Sequence, residues 1–309
     1  MRRKLTVNLP GGTARPAKAL RAPSTTPGRL VLHFALLLCA LAFLAPLVVV
    51  LSSSFSSEEA LSAHGYGLIP REFTVEAYRY VMHDPSRLVE AYAVSILVTC
   101  AGTALSMLVM SMLAYALSRK DFFAHRSLSF YVLFTMLFTG GLVPQYILMT
   151  RYLHLQNTLF ALILPYAVVP WSVLLLRTYF RGIPRDVIDA ARIDGAGELR
   201  TFFRVVVPLS GPALATIGMF TMLTYWNDWW LGLLYINDDK LNPVQLWLYR
   251  ILSNVDAISS NQQLSQQASV PVQSLRMAVA VLAIGPIIGA FLFLQRYFVR
   301  GITVGGVRG

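Results

Sequence analysis

The sequence predicts an all-α, polytopic membrane protein with six membrane-spanning helices, and three observations predict it. First, the 309 residues are 56% hydrophobic and 13% charged. That is about half the charged share of a soluble domain, too little to cover a water-facing surface. Second, the apolar residues come in long continuous runs, not in alternation. In lipid, backbone polar groups are satisfied only by helices or closed barrels, and continuous runs select helices. Third, the basic residues gather in alternate loops, as they do in helical membrane proteins.

The elements follow in chain order. Residues 1–29 carry seven Lys and Arg and no acid, and Pro10, Pro16, Pro23, Pro27 and several glycines interrupt them. A disordered, solvated basic arm is expected there. Leu30 to Leu51 then runs for 22 residues without a charge. The core of a cleavable secretory signal is about 7–15 residues, so a retained anchor helix is predicted. Five more uncharged stretches, 91–118, 127–150, 152–176, 205–227 and 277–295, each meet the roughly 17–25 residues a span requires. Gly140, Gly141 and Pro144 are expected to kink the third span, and Pro165 and Pro170 the fourth. Such breaks are tolerated where neighbouring helices cover the freed backbone groups. Cys39 and Cys100 lie far apart inside apolar runs. They offer neither a disulfide framework nor a zinc cluster, and read as small buried apolar residues.

Charge placement sets the orientation. With the amino terminus inside, the cytoplasmic segments hold nineteen Lys and Arg and the external ones seven. Both termini are therefore expected to be cytoplasmic. The net charge of +11 then faces anionic lipid headgroups, and no nucleic-acid partner is needed to explain it. Two external segments are long. In 52–90, Thr74 is expected to cap a short helix with Val75, Tyr78, Val81 and Met82 on one face. The segment 237–274 includes a polar stretch at 261–267 that is expected to be mobile. Long loops are often functional, so docking from outside is expected here. No internal repeat is visible, which argues against an internally duplicated transporter.

The cytoplasmic segment 177–207 holds the strongest local pattern. Pro184 suits the first turn of a helix. Val187, Ile188 and Ala191 share a face, Asp186 and Asp189 favour the positive end of its dipole, and Gly195 stops it. A second short helix is expected with Leu199, Phe202, Phe203 and Val206 on one face.

Here the residues resemble a known family. Asp189-Ala190-Ala191, then Gly195 after three residues, then Val205-x-Val207-Pro208 after nine more, is similar to the EAA loop of bacterial ABC-importer permeases. Asp stands in for Glu, and Val for Ile and Leu. Asp194-Gly195-Ala196 resembles the sugar importers in particular. So do Phe138–Tyr146, Asn157–Pro165, Arg177–Phe180 and Gln295–Gly305. These look like the smaller, maltose-permease-like subunit of oligosaccharide importers.

The resemblance implies a type I ABC-importer permease fold over 30–309, in a bacterial inner membrane. It implies alternating access, with the segment 184–207 as the coupling element. Asp189, Ala190, Ala191, Asp194, Gly195 and Pro208 would then form the ATPase-coupling set. The implied partners are a second, unlike permease, two cytoplasmic ATPase subunits that bind ATP and Mg, an external solute-binding protein and an oligosaccharide. No cofactor is implied in this chain.

The fifth span ends Tyr225-Trp226-Asn227-Asp228-Trp229-Trp230, and of these Tyr225, Trp226, Asn227, Asp228 and Trp229 read as a candidate substrate path. Aromatic faces stack on sugar rings, while amides and carboxylates accept hydroxyl donors. A carboxylate at mid-bilayer costs about 2.5–3.5 kcal/mol on insertion scales, so Asp228 is expected to face protein or a wet cavity. Interfacial anchoring is the competing reading for the tryptophans, and a structural hydrogen bond the competing one for Asp228.

Motifs for chemistry are absent. There is no phosphate-binding Gly-x-x-x-x-Gly-Lys-Ser/Thr loop, and Gly195-Ala-Gly197 is too short for a dinucleotide fingerprint. The five histidines have no ligand spacing. A permease subunit is therefore expected, not an enzyme. The rival, an ion-coupled secondary transporter, would be expected to carry several intramembrane ionisable groups.

Overall fold

A computed structural model describes residues 27–260 and 271–305, nearly all of them helical. The chain divides into two units, 1–47 and 48–309. Most of the predicted basic arm and the polar stretch at 261–267 lie outside the described residues.

The described part of the first unit is helical. It belongs to α1 (Pro27–Ser54), so the last residues of the predicted arm open this helix. Proline suits a first turn because its missing N–H needs no partner there. Apolar side chains along it, such as Leu32, Phe34 and Phe43, are exposed.

The second unit continues through α2 (Glu58–His64) and α3 (Glu76–Val81). Ser57 caps α2, its hydroxyl accepting from the Ala60 N–H at 3.1 Å. Thr74 is not the cap of α3. Val75 holds that position, and the Thr74 hydroxyl accepts the Glu76 N–H at 3.2 Å in a local turn. The buried residues of α3 are Ala77 and Val81, while Val75 and Met82 of the expected face are exposed.

Next come α4 (Pro85–Ser118), α5 (His125–Leu137) and α6 (Leu142–Ile147), the last continued by a π turn over Leu148–Tyr152. Then follow α7 (Leu159–Ile163), with a 3-10 turn to Tyr166, and α8 (Pro170–Arg181). The chain proceeds through α9 (Arg185–Ile193), α10 (Glu198–Thr201), a π turn Phe202–Val206, and α11 (Val207–Leu209). It closes with α12 (Gly211–Trp226), α13 (Trp230–Tyr235), α14 (Val244–Ser260) and α15 (Val272–Gly305).

Three described helices are long and apolar enough to cross a membrane alone, and counting three bent pairs as single spans gives six. The third span bends by 114° between α5 and α6. Gly141 supplies a φ of +83° at the break, a conformation glycine adopts without steric cost. The fourth bends by 51° between the 3-10 turn and α8, in the interval between Pro165 and Pro170. The fifth departs from expectation. It was predicted unbroken over 205–227, yet it bends by 87° at Ser210. Pro208 and Pro212 each stand in the first turn of a helix on either side of it, where the fixed φ starts a new helix and the missing N–H needs no partner. With 16 residues, α12 alone is about 24 Å long at 1.5 Å per residue, short of a hydrocarbon core of about 30 Å.

Two further expectations are corrected. The segment 237–274, expected as an external loop, contains α14, a 17-residue helix. Its Val244, Leu248 and Val255 are buried at helical spacing, a period the loop reading passed over. Cys39 and Cys100 are exposed, not buried. A small apolar thiol has no reason to leave a surface that faces lipid.

Helix α4 is the axis of the second unit. Met110, Ala114 and Leu117 join Val173, Leu176, Ile188, Phe202 and Ile217 in one buried cluster. Higher on the same helix, Val98 joins Leu162, Tyr225 and Tyr235. Ala91 joins Trp226, Leu248, Leu275 and Val279 in a third. In lipid these contacts stabilise by close packing and not by escape from water, and the three clusters make α4 the element against which the surrounding helices pack.

Candidate functional site

The predicted coupling set, Pro208 apart, lies on α9 and the stop that follows it. Pro184 is the N-cap of α9, with an extended backbone, and the helix ends at Ile193 with Asp194 as C-cap. Gly195 follows at a φ of +77°. Its N–H donates to the Arg192 carbonyl at 3.0 Å, and the Ala196 N–H donates to the Ala191 carbonyl at 2.9 Å. This pair of crossed bonds is a Schellman stop, which satisfies carbonyls the helix end leaves open. The predicted stop therefore forms where it was expected.

One side of α9 is anchored and the other is free. Ile188 is 1% exposed and belongs to the α4 cluster. Ala191 is half-buried, whereas Val187 of the expected face is exposed. Asp189, Ala190, Asp194 and Gly195 are exposed together. Pro208 is exposed too, but belongs to the bend of the fifth span. The second short helix buries Thr201, Phe202 and Val206, while Leu199 and Phe203 stay exposed. The π turn over 202–206 changes the register, so the expected four-residue face is only half realised.

The sequence reading missed the residue at the centre of this region. The Arg192 Nη2 donates to Glu198 Oε1 at 2.8 Å and to Asp121 Oδ2 at 3.0 Å. Its Nε also reaches Glu198 Oε1 at 3.2 Å, and Nη1 lies 3.8 Å from Asp189. Glu198 is held from behind by the Tyr115 hydroxyl, which donates to Oε2 at 2.6 Å. Arg119 lies over the Tyr115 ring at 4.9 Å. The hydrogen bond from Arg192 holds the Asp121 carboxyl below the usual carboxylate range. Bonds to Glu198 and Asp121 in turn push the Arg192 guanidinium further up. A cavity of about 370 Å3 lies alongside, walled by Met112, Tyr115, Phe122, Leu199 and Phe202. The pairing of Asp189 with Arg192 was legible at i, i+3. Asp121 and Tyr115, 71 and 77 residues before Arg192, were not.

The predicted substrate path divides in two. Tyr225 is buried, sharing a 2.8 Å hydrogen bond with the Ser106 hydroxyl and donating to the Ile163 carbonyl at 2.8 Å. Trp226 is buried too, its Nε1 donating to the Ala283 carbonyl at 3.0 Å. Asp228 accepts the Tyr166 hydroxyl at 2.9 Å on one oxygen and the Leu231 N–H at 3.2 Å on the other. All three are engaged inside the chain. Asn227 is exposed, and Trp229 stacks on Tyr249 with centroids 4.4 Å apart. Tyr249 and Tyr166 went unremarked in the sequence because their partners lie on other elements. Among the described residues, no group of three or more His, Cys, Asp or Glu is placed to hold a metal ion.

Comparison with known proteins follows the same lines. Residues 106–304 match the family described as binding-protein-dependent transport system inner membrane component. The chain is 38% identical over 279 residues to the polygalacturonan/rhamnogalacturonan transport system permease protein of Bacillus subtilis, covering 89% of this chain and 96% of that one. It is 32% identical to the arabinooligosaccharides transport system permease protein of Halalkalibacterium halodurans, over 87% and 93% of the two chains. A solved bacterial ABC transporter, involved in the import of the acidic polysaccharide alginate, superposes with a TM-score of 0.74. The identity there is 28%, over 90% of this chain and all of the other. The helical architecture is thus that of a type I ABC-importer permease, and the secondary-transporter rival falls away. The chain belongs to the family of binding-protein-dependent transport system inner membrane components and is a membrane-spanning permease subunit of an ATP-driven importer, not itself an enzyme.

Proposed function

We propose that this subunit passes oligosaccharides, and uronate-bearing ones in particular, across a bacterial inner membrane with both its termini in the cytoplasm. The observation that carries the cargo is likeness over most of the chain to permeases named for polygalacturonan/rhamnogalacturonan and arabinooligosaccharides, with an importer of an acidic polysaccharide as structural neighbour. A second, unlike permease completes the path. Two cytoplasmic ATPase subunits bind ATP and Mg, and an external binding protein delivers the sugar. This chain holds no cofactor of its own.

In this reading the exposed set Asp189, Ala190, Asp194 and Gly195, with Ala191 at its edge, seats against the ATPase. Pro208 sits at the bend where the motion of α9 enters the fifth span. ATP-driven closure moves α9, and Ile188 passes that motion to α4. On the outer side, Asn227 and the Trp229–Tyr249 stack offer amide and ring faces to sugar. Tyr225, Trp226 and Asp228 hold the shape of that wall from within, a role supported by their internal bonds.

The test is purification of the chain from its native membrane in mild detergent, with mass spectrometry of what accompanies it. An ATPase and a second permease are expected, and both should be lost when Gly195 is replaced by Glu. Reconstituted vesicles should then take up oligogalacturonate faster than an uncharged oligosaccharide of equal length. Recovery of the chain alone, transporting without ATP, would overturn the assembly; equal uptake of both sugars would overturn the cargo.

A further inference from the structure

We infer that Arg192 is a positioning residue that sets the angle of the coupling helix, and so decides how much transport each ATP drives. The inference rests on the proposal that α9 seats against the ATPase. It begins with how α9 is held. Ile188 is the one buried residue of the helix. A nine-residue helix fixed by one apolar side chain can pivot about it, because dispersion and burial have no preferred direction. A second contact is needed to fix its angle, and Arg192, four residues on, lies on the same face roughly 5–6 Å away.

What Arg192 touches is arranged for that purpose. Its guanidinium joins α9 to the loop after α4 through Asp121, and to α10 through Glu198. Glu198 is tied to α4 through Tyr115. Three elements thus meet at one planar fork, whose rigid donors fix direction in a way an ammonium does not. The cavity of about 370 Å3 beside them means apolar packing does not take over this task. The pairs are also partly exposed: the Arg192, Asp121 and Glu198 side chains are 38%, 61% and 56% accessible. Exposed ion pairs add little to stability. What this cluster supplies is therefore orientation, and losing it should uncouple the subunit without unfolding it.

The experiment uses the whole importer, reconstituted with its second permease, ATPase and binding protein. Spin labels at Phe123→Cys and Val187→Cys, with Cys39 and Cys100 changed to Ser, report the angle of α9 against the loop after α4. Oligogalacturonate is the transport probe. Arg192→Gln should assemble as wild type, widen the label-to-label distance distribution at least twofold, and lower transport per ATP hydrolysed at least fivefold. Arg192→Lys should recover only part of both. An unchanged distribution, or transport and ATP hydrolysis falling in proportion, would overturn the inference. If Arg192→Gln does not assemble, Tyr115→Phe, which removes the hydroxyl that holds Glu198 and keeps the ring, decides by the same two readouts. Failure of the underlying proposal looks different: Ala190→Glu, on the exposed side of α9, would then leave the ATPase bound.

Discussion

At the scale of single residues, two glycines illustrate opposite constraints. Gly195 sits at a φ of +77°, and a methyl added there would meet nothing within 4 Å. Gly195→Ala therefore costs only the left-handed backbone, about 1–2 kcal/mol, and Asn, which tolerates that conformation, costs less. Thermal unfolding of the detergent-solubilised chain should rank glycine, asparagine and alanine in that order. Gly102 has the reverse problem. A Cβ there would lie 2.7 Å from the Tyr225 ring, and that ring is pinned by two hydrogen bonds. Gly102→Ala should destabilise by about 1–3 kcal/mol through overpacking. Tyr225→Phe should cost a similar amount, about 1–3 kcal/mol, because it leaves the buried Ile163 carbonyl without its donor and takes the hydroxyl partner from Ser106. The Gly195 stop was legible because its partners are three and five residues away. The Tyr225 contacts were not, since Ser106 and Ile163 lie more than sixty residues off, and the aromatic cluster at 225–230 reads equally well as a sugar path.

The same scale gives a pH prediction. Bonding to Arg192 lowers the Asp121 pKa from its usual value of 3.8. A depressed carboxylate contributes stability above its unfolded pKa and loses it as pH falls through the folded one. The contribution should thus be whole at neutral pH and fade only below about 4. The gap in thermal midpoint between the chain and its Asp121→Asn variant, small because the pair is exposed, should stay constant from pH 8 to 5 and close in stronger acid. A gap that already closes between pH 7 and 5 would show that Asp121 is not held by Arg192.

At the scale of elements, the last helix is capped from a distant one. The Glu58 carboxylate, at the start of α2, accepts the Gln273 N–H at 2.9 Å and the Ser274 N–H at 3.1 Å. Those amides belong to the first turn of α15, where donors have no partner in their own helix. Removing a capping group costs about 0.5–2 kcal/mol. Glu58→Ala should therefore speed hydrogen exchange at Gln273 and Ser274 several-fold, while the amides of α4 exchange as before. Equal acceleration in α4 would mean global loosening instead. No sequence signal points to this cap, because the two residues are 215 apart. The bend at Ser210 was closer to legible. Pro208 and Pro212 were both in view, but composition alone made 205–227 look like one span. The period of α14 was likewise present in Val244, Leu248 and Val255, and was obscured by the polar residues that follow.

At the scale of the whole molecule, composition decided most of the outcome. A chain with 13% charged residues has to use lipid as solvent for much of its surface, and continuous apolar runs leave helices as the only solution. What composition does not encode is how each span is broken, because bends depend on which neighbours satisfy the freed backbone groups. The proposed orientation is a whole-molecule property as well, resting on nineteen inward and seven outward Lys and Arg. It assigns the loop after α4 to the cytoplasm and the segment after α2 to the outside. Phe123 and Ile69 are 94% and 79% exposed in those two places. Single cysteines there, with the exposed Cys39 and Cys100 changed to Ser, make both accessible to a membrane-impermeant maleimide. In intact spheroplasts the cysteine at 69 should label and the one at 123 should not, and in inverted vesicles the pattern should exchange. Labelling of both from one side would contradict an odd number of crossings between them. The reverse pattern would place α9 outside the cell, where no ATPase reaches it, and would remove the coupling role from Asp189, Gly195 and Arg192 together.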